Sequence, residues 1–99
     1  MAKELDREIT NSERIKRIID ILRLDGREIE LHLPEYIEIA KVSTTSTDTF
    51  TLKLSSSVIN VKEEDLDYIQ ISFIFSGVEL FGKCRFIEQN ANYLTFNYP

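Results

Sequence analysis

Residues 68–86, YIQISFIFSGVELFGKCRF, contain two alternating runs around the turn signal Ser76-Gly77. A two-residue turn there sets Phe75 opposite Val78, Phe73 opposite Leu80, Ile71 opposite Gly82 and Ile69 opposite Cys84. Side chains alternate along a strand, so these residues share one face. The other face pairs Ile74 with Glu79, Ser72 with Phe81, Gln70 with Lys83 and Tyr68 with Arg85. Slipping one strand by a residue would set apolar side chains against polar ones, so the pattern specifies its own register. Gly82 opposite Ile71 leaves a gap, which predicts a bulge or sharp bend. Serine is not the favoured first residue of such a turn, so a longer loop is the alternative. Phe81 stands on the polar face, as an interface residue or as one packed under a helix.

The rest of the chain supplies partners for this hairpin. Residues 1–9 are mostly charged and read as frayed or as an extension of the first helix. Thr10-x-x-Glu13 has the form of a capping box. Ile15, Ile18, Ile19 and Leu22 then recur at helical spacing, which predicts a helix over 11–24 that ends near Asp25-Gly26. Its charged face is a solvated surface or a partner surface. From Arg27 the period falls to two: Ile29, Leu31 and Leu33 alternate with polar residues until Pro34, which has no amide proton for a ladder. A second strand is expected over 36–43 and a polar turn over 44–48. Phe50, Leu52 and Leu54 mark a third strand. Residues 58–61 read as a short strand or a loop with buried anchors, 62–67 as an acidic turn, and 88–92 as a polar turn. A last strand carries Leu94, Phe96 and Tyr98.

One helix followed by about six closely spaced strands predicts a mainly β, α+β fold. Short connections pair strands antiparallel, and closure into a small split barrel removes exposed edges. At 99 residues the chain is expected to form a single domain, with 1–10 frayed, a helix over 11–24 and the barrel over 27–98. Its end directly after a strand, at Tyr98-Pro99, fits a compact domain or a cut at a domain boundary within a longer protein.

Composition narrows the function. The net charge of −5 argues against a general surface for nucleic acid or anionic membrane, which needs positive charge to release counterions. The basic residues that cluster are Arg14, Lys16, Arg17 and Arg23. No apolar run has transmembrane length, and the N-terminus MAKELDRE has no signal-type hydrophobic region, so a cytoplasmic location is expected. Cys84, the single cysteine, is expected to be a buried core residue rather than a reactive thiol.

Few residues point to chemistry. His32 lies beside Glu28 and Glu30 on the polar side of the first strand. A metal or general-base role would need further ligands or a nucleophile, so a solvent-facing strand residue is expected. The cluster Glu63, Glu64, Asp65 and Asp67 lacks the spacing and glycine of a calcium loop. The three glycines, Gly26, Gly77 and Gly82, form no phosphate loop. Neither catalysis, a metal nor a cofactor is expected.

Several stretches resemble PilZ-like split barrels, in particular the accessory N-terminal domain of flagellar-brake-type PilZ proteins. They are the entry at 27–33, the strand–turn–strand IEIAKVSTTSTDTFTLKL, the hairpin, and the closing YLTFNYP. The resemblance spans about 23–99. It implies a bacterial, cytoplasmic, non-catalytic regulatory domain in cyclic di-GMP signalling. Such a domain acts through a neighbouring PilZ domain or a signalling or motility protein. A ligand-binding PilZ domain carries R-x-x-x-R followed by D/N-x-S-x-x-G. Arg23-Leu-Asp-Gly-Arg27 matches the first motif, and its two guanidiniums are the candidate ligand-binding groups. Ser43 could stand at the serine of the second, but Lys41 replaces the acid and Ser46 the glycine. Arg23 and Arg27 equally suit the helix C-terminus, where positive charge complements the dipole.

Three rivals predict different observations. A degenerate PilZ receptor would bind cyclic di-GMP through Arg23 and Arg27. A flavin-type split barrel would purify yellow or nucleotide-bound. An Sm-like nucleic-acid ring would be oligomeric and shift RNA.

Overall fold

The computed structural model describes residues 8–33, 37–55 and 68–98. A helix, Ser12–Asp25 (α1), precedes six strands: Glu28–His32 (β1), Ile37–Thr45 (β2), Thr49–Leu54 (β3), Tyr68–Phe75 (β4), Val78–Asn90 (β5) and Tyr93–Asn97 (β6). All neighbours are antiparallel, and they close into a barrel in the order β1-β2-β3-β6-β5-β4. The expected helix-plus-barrel architecture is therefore the one observed. Pro34, Tyr36, the segment 58–61 and the acidic turn 62–67 lie outside the described residues.

The helix begins one residue later than the capping box implies. Asn11, not Thr10, is the N-cap: its backbone is extended and its side chain accepts the Arg14 amide at 2.9 Å. Asparagine is at least as good a cap as threonine, and the Asn11 carbonyl accepts the Ile15 amide at 3.1 Å. At the other end Gly26 takes φ +66, and the Arg27 amide reaches back to the Leu22 carbonyl at 3.2 Å. A side chain is disfavoured at that left-handed position, so glycine fixes both the stop and the exit direction.

The central hairpin holds the register that its sequence specifies, from Phe75↔Val78 to Tyr68↔Arg85. Ser76 and Gly77 form a two-residue turn, with φ of +54 and +76. Of the bulge or sharp bend expected at Gly82, the bulge is not there; pairing runs unbroken through Ile71↔Gly82. The irregularity falls between Phe86 and Glu88, and a second one falls between Val42 and Thr44 in β2. The physical reason lies in how β5 is used. It pairs with β4 as far as Arg85, where pairing with β6 begins, and the bulge lies next to that exchange. Residues 88–90, expected as part of a turn, instead extend β5 against β6.

Ile15, Ile18, Ile19 and Leu22 of α1 join the inward residues of every strand in one buried cluster. At its centre Phe50 stacks on Phe96 with centroids 5.5 Å apart, and Phe86 meets Phe96 edge-on at 5.8 Å. Side chains fill a barrel of this size, which leaves it a packed core rather than a container. Cys84 is fully buried, as expected. Residues 8–9 are neither frayed nor helical. Ile9 is buried, its amide donates to the Phe81 carbonyl at 2.7 Å, and Glu8 bridges Phe81 in parallel.

Candidate functional site

α1 packs mainly against β2, and its C-terminal end leads into β1 at the barrel end that carries the β2–β3 and β4–β5 turns. Two clusters form where its surroundings meet these turns, and they separate the two arginines of the R-x-x-x-R match.

Arg23 faces the β2–β3 side. Its Nε and Nη2 both donate to Asp20 Oδ1, at 3.1 and 2.9 Å, one helical turn back. The same oxygen accepts the Thr45 hydroxyl at 3.3 Å. Nearby, Lys16 Nζ donates to the Thr47 carbonyl at 3.0 Å. A shallow depression over this corner is lined by Lys16, Arg17, Asp20, Thr45, Ser46 and Tyr98. Burial, reinforced by the Asp20 carboxylate, pushes the Tyr98 phenol up to about 12, while Arg23 opposes the shift. Its oxygen has no hydrogen-bond partner among the described residues. Ser43 sits half-buried at the β2 irregularity, close in sequence to this corner.

Arg27, past the left-handed Gly26, faces the hairpin. Its Nη1 donates to the Ile74 carbonyl at 3.2 Å, and its Nε lies 3.6 Å from Asp25. The structure therefore gives the two guanidiniums separate partners: Arg23 pairs with Asp20 on the helix itself, and Arg27 with the Ile74 carbonyl of β4 and with Asp25. Spacing alone hides this, because the reversal at Gly26 decides where the second arginine goes. Asp20 carries no motif; its position three residues before Arg23 is the one sequence signal of this pair.

Phe81 is half-buried, and its carbonyl is engaged by the N-terminal segment. Ile9, apolar and just ahead of the helix start, was the sequence mark of that contact. His32, expected to face solvent, is half-buried instead. Its Nε2 lies 3.4 Å from Glu30 Oε1 but makes no hydrogen bond among the described residues. Among those residues no group of three or more His, Cys, Asp or Glu side chains could hold a metal ion. No described helix is long and apolar enough to cross a membrane.

The molecule is one helix packed on a closed six-stranded antiparallel barrel. No family model matches the chain, and no curated protein does. Among solved structures it is similar to a chain in the structure of the K. pneumonia MrkH–c-di-GMP complex, with a TM-score of 0.71 and 12% sequence identity. The match covers 92% of this chain and 39% of the MrkH chain. The chain thus spans well under half the length of that neighbour. At this identity the likeness is one of fold.

Proposed function

We propose that the protein is a non-catalytic regulatory domain of a cyclic di-GMP signalling system, working in the cytoplasm as an accessory barrel. It acts through contacts with a neighbouring PilZ domain or a signalling or motility partner. The observation that carries this reading is the state of Arg23. Its guanidinium is already neutralised by Asp20, an oxygen that also holds Thr45. A phosphate approaching Arg23 would have to displace a carboxylate of its own charge, and Arg27 is turned toward Ile74. The fold shared with a protein solved in complex with c-di-GMP supports the signalling context. Phe81, half-buried on the outer side of the hairpin, is a candidate for the partner surface.

Isothermal calorimetry of the 99-residue chain with cyclic di-GMP tests this. No heat is expected at ligand concentrations up to about 100 μM, a range that would reveal a dissociation constant in the micromolar class. Micromolar binding abolished by Arg23→Ala would overturn the reading in favour of a degenerate PilZ receptor.

A further inference from the structure

The barrel is least complete at the seam that closes it. Pairing between β1 and β4 runs through His32↔Gln70 and Leu31↔Ile71 to Glu30↔Ser72, and there it stops. Both strands continue: β1 begins at Glu28 and β4 ends at Phe75. They are long enough for two more rungs, Ile29 with Phe73 and Glu28 with Ile74, and neither is made.

The hairpin geometry says which backbone groups this leaves open. In a two-residue turn the flanking pair, here Phe75 and Val78, exchanges hydrogen bonds. The next pair, Ile74 and Glu79, then turns its N–H and C=O groups away from each other. For Ile74 the outward direction is the seam, as its carbonyl's contact with Arg27 at 3.2 Å confirms. The Ile74 amide points the same way, beyond the last rung of the β1–β4 ladder.

The opening is a groove of about 420 Å³. Its apolar walls are Ile39, Phe73 and Ile74, and Ile74 is 60% exposed at the rim. Its charged groups are Glu28, Glu30 and Glu79, set against Arg27. The balance is acidic, as is the whole chain.

We propose that this seam is a docking site for an extended segment of a partner protein that carries a lysine or arginine between aliphatic residues. The proposal rests on the reading of the chain as an interaction domain and gives that reading a surface. The Ile74 edge supplies main-chain hydrogen bonds, the apolar walls take alternate side chains, and the carboxylates select the cation. Arg27 is the internal competitor: its guanidinium donates to the carbonyl that a partner amide would use.

The test is an NMR titration of the 15N-labelled 99-residue chain with two synthetic pentapeptides. One is acetyl-Val-Lys-Ile-Lys-Val-amide; the other carries Glu in place of both Lys. The lysine peptide is expected to shift the amides of residues 27–30 and 73–79, and the glutamate peptide to leave them unmoved. Glu79→Lys, at an exposed position, should weaken the lysine peptide about tenfold, as expected when a close like charge replaces an attractive one. Arg27→Ala should tighten it severalfold by removing the competitor. The proposal falls if the lysine peptide leaves the seam amides unmoved at millimolar concentration, if the glutamate peptide moves them equally, or if Arg27→Ala weakens binding. Heat with cyclic di-GMP overturns the functional reading above whatever the seam does. A chain that gives no such heat and shows a silent seam overturns the docking site alone.

Discussion

Ser76 shows how one residue can be tolerated rather than preferred. Both turn positions need positive φ, which Gly77 supplies freely, whereas Ser76 holds φ +54 against the crowding of its own Cβ. Asparagine is several-fold enriched in that region. Ser76→Asn is therefore expected to stabilise the protein by about 0.5 to 1 kcal/mol, read as a higher urea midpoint at unchanged slope. An unchanged or lower midpoint would show that the serine carries no strain. Arg23 and Arg27 teach a different lesson at the same scale. Their spacing was legible, but their roles were not. Whether two guanidiniums converge depends on a left-handed residue between them and on Asp20 one turn away. Neither effect has a signature in an R-x-x-x-R pattern.

At the level of the element, legibility tracked how many residues voted together. The hairpin over 68–86 was readable down to its register because eight opposed pairs agree on one alternation. The end of β5 was not, since Glu88, Gln89 and Asn90 are polar whether they form a turn or an exposed two-stranded extension. The seam was invisible for a related reason: alternation reports which face is buried, not whether a strand's second edge has a partner. Helix ends depend on single residues and are the weakest point of such reasoning, as the shift from Thr10 to Asn11 shows. The cap assignment is checkable. Asn11→Ala should cost about 1 kcal/mol, while Thr10→Ala, at an exposed position, should stay within about 0.5 kcal/mol of the parent. Chemical denaturation of both variants decides it, and the reverse order would return the cap to Thr10.

For the whole molecule, the packed interior makes stability depend on pH at the alkaline end. Burial raises the Cys84 thiol from 9.0 to about 12, and raises Tyr98 from 10.0 to about 12 with help from Asp20. Both groups are acids that the fold holds neutral. As pH climbs, the unfolded chain loses these protons first, so the native state binds more protons and stability falls with pH. Their contribution is complete below about pH 9 and is lost between there and pH 12. Urea midpoints should decline across that window, and Cys84→Ala combined with Tyr98→Phe should flatten the decline; an unchanged slope in the double variant would reject the assignment. The same closed architecture leaves, among the described residues, a stretch of the β1–β4 seam where the sheet could pair with something outside itself, and a naked strand edge is ordinarily a route to aggregation. Here its surroundings change the hazard. If two copies met seam to seam, the Glu28, Glu30 and Glu79 of each would confront their own equivalents, on molecules that each carry a net charge of −5. Like charges set directly opposite across strands are destabilising. The acidic rim thus works as a discriminator: it leaves the edge available to a stranger of opposite charge while making the protein a poor partner for itself.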